Sequence, residues 1–209
     1  MKKKLLPLFI ALGLMLIPDN KQASLFAVDV GVPVVSNEKD IKAETVNIAG
    51  NMDYTGKPDG TSGYFVRAKF FGLVGLGYMD YQVKYKYDEN QKYKLDSKFF
   101  ELVGHVPIPI TALTLSGHYG VGTRKFDSES RLLSSYNEAD VSETINVTKI
   151  GIDVGLEYSF IFAVRASIGF NQIIGEKKTV TLLDNEFYVF KAEIDPNATI
   201  LTLAVGAGF

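Results

Sequence analysis

The sequence predicts an all-β chain, an eight-stranded antiparallel up-and-down transmembrane β-barrel. Three observations predict it. Apolar residues alternate with small or charged ones over eight stretches, each as long as a tilted membrane strand, about 9–11 residues. Tight turns and long polar loops alternate between these stretches. The last stretch, Thr199 to Phe209, keeps its alternation to the final residue.

Composition supports one folded domain. Of 209 residues, 46% are hydrophobic and 22% charged, outside the range of disordered chains. A formal charge of −2 argues against a basic face for nucleic acid. Cys is absent, which excludes disulfides, zinc–thiolate sites, a Cys nucleophile and lipid attachment through an N-terminal Cys. With only 2 His, no metal centre is expected, and no motif asks for a cofactor.

The N-terminus reads as a secretory signal. "MKKK" is a positive n-region, 5–17 an apolar h-region, and Pro18, Asp19 and Asn20 break it. The apolar run is shorter than the ~20 residues of a spanning helix. Cleavage after Ala23, or as late as Ala27, leaves a barrel domain over 24–209.

Each stretch is read by its period of two. In the first (25–35), Phe26, Val28, Val30, Val32 and Val34 share a face opposite Asp29 and Gly31. The second (63–71) sets Tyr64, Val66, Ala68 and Phe70 against Phe65, Arg67 and Lys69. The third (76–87) sets Met79, Tyr81, Val83, Tyr85 and Tyr87 against Asp80, Gln82, Lys84 and Lys86. The fourth (93–106) sets Phe100, Leu102 and Val106 against Glu101, Val103 and His105. Tyr93 and Leu95 break its phase, which suggests a bulge. The fifth (112–124) opposes Leu115, Tyr119 and Val121 to Ser116, His118 and Gly120; the sixth (145–158) opposes Ile150, Ile152 and Val154 to Lys149, Asp153 and Glu157. The seventh (160–173) opposes Phe162, Val164 and Phe170 to Arg165 and Gly169. The eighth opposes Leu201, Leu203, Val205 and Ala207 to Thr202, Ala204, Gly206 and Gly208.

The tight connections are 72–75, 107–110 and 159–160; the long ones, apart from 88–92, are 37–62, 125–144 and 175–196. Periplasmic turns and longer extracellular loops have this asymmetry. A soluble barrel also alternates, but Gly weakens a water-facing strand surface without packing anything. Inside a narrow eight-stranded barrel it makes room. Hydrocarbon offers no partner to peptide groups, so the sheet must close.

With Phe209, Ala207, Val205, Leu203 and Leu201 in this pattern, the mature chain resembles the small eight-stranded outer-membrane barrels of Gram-negative bacteria, the OmpA transmembrane domain, OmpX and opacity-type adhesins. The resemblance implies the bacterial outer membrane, with its lipid and lipopolysaccharide as surroundings. It also implies that the last strand is the signal read by the barrel-assembly machinery.

The face assigned to the lumen carries Asp29, Arg67, Lys69, Asp80, Lys84, Lys86, Glu101, Lys149, Asp153, Glu157 and Arg165. Lone buried ions are costly, so an Asp29–Arg67–Asp80 cluster and an Asp153–Arg165 pair are expected to close it. Gly31, Gly120, Gly122, Gly151, Gly155 and Gly169 leave room for a narrow channel as the alternative. Ser116 and His118 point inward with no third member of a triad, so lipid A-modifying chemistry is disfavoured and no catalytic residue is assigned. Interfacial girdles are expected from Phe26, Phe70, Phe71, Tyr158, Phe160, Phe162 and Phe209 at the turn end, and from Tyr85, Tyr87, Tyr93 and Phe126 at the loop end. "EFYVFKAEI" reads as a projecting hairpin. Loops 37–62, 125–144 and 175–196 are the candidates for an extracellular ligand, in a structural or adhesion-like role. Deleting Phe209, or adding a polar tail after it, should lower the heat-modifiable barrel recovered in outer-membrane fractions; wild-type yield would contradict the signal.

Overall fold

The computed structural model describes residues 25–47, 50–88, 91–108, 111–130, 141–159, 162–184 and 188–209. The expected N-terminal signal lies outside them. The strands are β1 (Phe26–Glu38), β2 (Ile41–Asn47), β3 (Gly50–Phe70), β4 (Val74–Asp88), β5 (Gln91–Pro107), β6 (Leu113–Ser130), β7 (Ser142–Ser159), β8 (Ala163–Gly175), β9 (Lys178–Asp184), β10 (Tyr188–Ile194) and β11 (Ala198–Gly208). The sheet order is β1-β11-β8-β7-β6-β5-β4-β3-β2-β10-β9, and β1 also pairs with β3. That last pairing closes an eight-stranded antiparallel barrel of β1, β3, β4, β5, β6, β7, β8 and β11, as predicted.

The extra strands are continuations. β1 resumes as β2 after 39–40, β8 as β9 after 176–177, and β10 passes through 195–197 into β11. Much of loops 37–62 and 175–196 is therefore sheet: β2 pairs with the upper half of β3, and β10 bridges β2 and β9. The expected hairpin around 186–194 is present as β9–β10, stitched to its neighbour rather than projecting alone. The β3–β4 turn is Phe70–Leu73, with Leu73 N–H donating to Phe70 O at 3.2 Å. Phe71 and Gly72 there have φ of 53° and 62°, the positive values a type I′ turn requires.

The barrel has two storeys. In the lower one, large apolar residues face out: Val66, Leu76, Phe100, Leu102, Val121, Ile152, Val154, Val164, Phe170, Leu203 and Val205 are all exposed. The turn-end aromatics Phe26, Phe70, Phe71, Tyr158, Phe162 and Phe209 are exposed as expected; Phe160 lies outside the described residues. An outward belt of this size is stable against hydrocarbon and not against water.

In the upper storey the same faces exchange character. Met79, Tyr81, Val83 and Tyr85 of β4 are 0–2% exposed and lie inside. Asp80 is half-exposed on the outer face, and Lys84 and Lys86 are exposed there. The phase read for the third stretch is thus inverted: its apolar face is a core facing an interior, and its charges meet water. β5 shows the same change without a bulge. Its odd residues from Tyr93 to His105 are all buried, and its register with β6 runs unbroken from Gln91↔Ser130 to Pro107↔Thr114. The period never slips; the surrounding medium changes. Tyr85, Tyr93 and Phe126 therefore belong to the interior and not to an interfacial girdle; the side chain of Tyr87 lies outside the described residues. The outer boundary of the belt is marked by Tyr64, Tyr78 and Phe100 on adjacent strands, with ring centroids 6.4 and 5.4 Å apart, just below Asp80 and Lys98.

The upper interior packs Leu95, Phe99, Phe126, Ile145 and Val147 against Ile41 and Ala43 of β2, Val180 and Leu182 of β9, and Ala192 and Ile194 of β10. Leu95→Ala should then cost about 2–5 kcal/mol of stability, the price of a core cavity. Leu102→Ala, where lipid fills the gap, should cost less. Equilibrium urea unfolding in lipid vesicles compares them; equal losses would contradict the two-storey assignment.

Candidate functional site: the packed lumen

The lumen of the lower storey is filled with charge. Five acids (Asp29, Glu38, Glu101, Asp153, Glu157) and five bases (Arg67, Lys69, Arg124, Lys149, Arg165) are buried along the interior, with His105 and His118 among them. The signs balance, as they must where each ion has left water.

Three tiers hold them. In the lowest, Asp29 accepts from Lys69 at 2.6 Å and from Arg165 Nη2 at 2.6 Å. Arg165 also donates to Glu157 at 3.3 Å, and its Nη1 lies 3.3 Å from His105 Nε2. The other ring nitrogen of His105 bonds Ser116 Oγ at 2.8 Å. In the middle tier, Arg67 donates from Nε to Glu101 at 2.8 Å and from Nη1 to Asp153 at 2.5 Å. His118 Nε2 lies 3.2 Å from Asp153, and Lys149 completes Glu101. In the top tier, Arg124 donates to Glu38 at 2.8 Å, Ser97 Oγ at 3.0 Å and the Pro196 carbonyl at 2.7 Å. The Tyr81 hydroxyl donates to Glu38 at 3.3 Å.

The expected partners are exchanged. Arg67 bonds Glu101 and Asp153, not Asp29; Arg165 bonds Asp29 and Glu157, not Asp153. Asp80 is not in the lumen: it accepts from Tyr78 at 3.1 Å on the outer face. Lys69, Glu101, Lys149 and Glu157 point inward as read. Glu38 and Arg124 were missed. Arg124 continues the even-numbered inward face of the fifth stretch beyond His118 and Gly122, which is the signal that could have found it. Glu38 could not be found that way, because a register shift between Pro33 and Val35 reverses the parity of β1.

Glycine makes these pairs fit. Across the ladder, Gly77 stands opposite Arg67 and Glu101, Gly120 opposite Glu101 and Lys149, Gly151 opposite His118, Gly169 opposite Asp153, and Gly206 opposite Asp29 and Arg165. A Cβ on Gly206 would lie 2.0 Å from Asp29 Oδ1, and one on Gly169 2.1 Å from Asp153 Oδ1. The inward glycines are spaces already occupied by a neighbour's side chain, not bore.

Among the described residues, three buried polar atoms lack a hydrogen-bond partner: Tyr85 Oη, His118 Nδ1 and Asn171 Oδ1. No group of three His, Cys, Asp or Glu among the described residues could hold a metal ion. Arg67→Ala would leave Glu101 without one of its cations and Asp153 without its guanidinium. Stability should fall by about 3–5 kcal/mol, as for broken buried ion pairs. Asp80→Asn on the outer face should change it by about 0.5 kcal/mol or less. Urea midpoints in vesicles check both; a large Asp80 effect would return that residue to the lumen.

No protein-family model matches the sequence, and no curated protein sequence matches it. Among solved structures, the chain is similar to three small outer-membrane barrels. Neisserial surface protein A is 12% identical, with 90% of this chain and 100% of that chain covered and a TM-score of 0.42. Ail, the attachment invasion locus protein of Yersinia pestis, is 13% identical, with 90% and 98% covered and a TM-score of 0.42. The outer membrane protein OprG of Pseudomonas aeruginosa is 14% identical, with 91% and 98% covered and a TM-score of 0.45. The architecture described above rests on the chain's own strand pairing and faces.

Proposed function

We propose that this chain is a closed, non-conducting barrel of the bacterial outer membrane, delivered by a cleaved signal, whose upper storey presents a surface to extracellular partners. The observation that carries this reading is that the lumen is filled twice. Below, ion pairs seat against glycine; above, the apolar core around Leu95, Phe99 and Phe126 excludes water. Eight strands leave only enough interior for side chains to fill, and here they fill it.

The upper storey supports a surface role. β2, β9 and β10 make a sheet with apolar residues turned inward, so their outward residues Lys42, Thr179, Thr181 and Lys191 are held on a stiff frame. A preformed frame costs less ordering on binding than a loop does. Residues 131–140 of the second long loop lie outside the described residues. In this reading lipopolysaccharide surrounds the belt, and the assembly machinery reads the last strand.

The channel alternative needs open bore, and the glycines that suggested it face side chains. An enzyme acting on lipid A needs a nucleophile that lipid can reach, but Ser116 is buried against His105 inside the lumen. Refolded protein in planar bilayers should give no steady conductance; a steady ion-like current would replace this proposal with the channel. Bacteria displaying the chain should bind host-cell surfaces more than bacteria displaying a variant with 42–46 and 181–191 replaced by short turns. Equal binding would remove the interaction role.

A further inference from the structure

β1 and β3 close the barrel only over a short stretch. Their pairing runs from Phe26↔Phe70 to Gly31↔Phe65 and stops. The wall rejoins where Ile41 of β2 meets Gly56 of β3. Between these points the two strands part, and the local sequence permits it. Pro33 and Pro58 have no N–H to leave unpaired. Register shifts fall between Pro33 and Val35 and between Pro58 and Thr61. Gly60 and Gly63 adopt φ of 133° and 156°, which side chains disfavour. The side-chain hydrogen bond between Ser36 Oγ and Thr61 Oγ1, at 2.5 Å, crosses the parting.

At the lower end of the parting is a cavity of about 490 Å³ lined by Val30, Val32, Tyr64, Val66 and Leu203 over a floor of Phe65. Its size is that of a small-molecule site, about 300–1,000 Å³. The floor is fixed. A Cβ on Gly31 would lie 2.3 Å from the Phe65 ring, so glycine there lets the ring lie against β1. The Arg67 guanidinium sits 4.3 Å from the ring centroid on the lumen side, and Arg67 is itself clamped by Glu101 and Asp153. The cavity thus opens outward onto the belt and is closed toward the lumen. Hydrocarbon is the medium at its mouth, its lining is apolar, and the hydroxyls of Ser36 and Thr61 lie farther up the parting.

We propose that the parting of β1 and β3 is a side slot that holds one acyl chain of a membrane amphiphile, entering from the bilayer, with its polar head toward Ser36 and Thr61. This goes beyond the surface role and rests only on the belt lying in lipid. The apolar contact supplies the binding, and the preformed floor spares the cost of ordering it.

The test uses the full chain in nanodiscs carrying a trace of phospholipid with a diazirine on one acyl chain. Labelled residues are mapped by peptide mass spectrometry after irradiation. Val30, Val32, Tyr64 and Leu203 should be labelled several-fold more than Leu102 and Ile152 on the remainder of the belt. The double variant Val66→Phe, Leu203→Phe should abolish the excess at Val30 and Val32; Phe65→Ala should raise it. Heat-modifiable migration identifies which variants are folded, and if one is not, the wild-type map alone decides. Uniform labelling around the belt, or an excess that survives filling, would overturn the slot. Absence of label at Leu102 and Ile152 as well would instead overturn the membrane placement.

Discussion

Everything in this barrel depends on filling a narrow, charge-lined lumen with side chains. Lipid outside demands a closed sheet, because no peptide group can face hydrocarbon unpaired. Closing eight strands fixes an interior that side chains must occupy. The chain occupies it with long charged residues whose opposite signs meet. Breaking one pair strands a charge with no solvent to relieve it. Glycine is the complementary part: Gly77, Gly151, Gly169 and Gly206 stand where an added Cβ would overlap a charged side chain or the His118 ring. Charge and glycine on one face are a single packing solution.

The second organising fact is that one strand can serve two solvents. β4 from Val74 to Lys86 and β5 from Tyr93 to His105 keep a strict period of two, yet the apolar face is outside below Tyr78 and Phe100 and inside above them. In lipid the cheap outer surface is apolar; in water it is Asp80, Lys84 and Lys98. The interior responds in the opposite sense, from Glu101 and Arg67 below to Leu95, Phe99 and Phe126 above. The upper storey is in effect a water-soluble barrel wall standing on a membrane one.

The two storeys are joined where β1, β8 and β10 break. Arg124 holds that level, reaching Glu38 at the end of β1, Ser97 on β5 and the carbonyl of Pro196 before β11. Without that tie, the shift from β1-β11-β8 below to β2-β10-β9 above would leave the buried Pro196 carbonyl without this donor and Glu38 without its cation. The same change of partners opens the parting of β1 from β3, where prolines and glycines stand in place of a regular ladder.

Much of this was legible in one dimension. Alternation, strand number, turn positions and the inward direction of Asp29, Arg67, Lys69, Glu101, Asp153 and Arg165 follow from period two, which is a local property of the backbone. Which face meets which medium is not local. Met79, Tyr81, Val83 and Tyr85 look like a lipid face because apolar residues there are equally suited to lipid or to a core; only the closing of β2, β9 and β10 over them decides. Asp80 was misassigned for that reason. The ion pairs are hidden for another: Arg67 and Asp29 are register partners on adjoining strands, yet the long Arg67 side chain reaches across the lumen to Asp153 while Lys69 and Arg165 take Asp29. The sequence by itself determined a barrel of eight alternating strands with charge and glycine inside. Only the tertiary structure decided where along those strands lipid ends, and which charge faces which, because both depend on distances between strands remote in the chain.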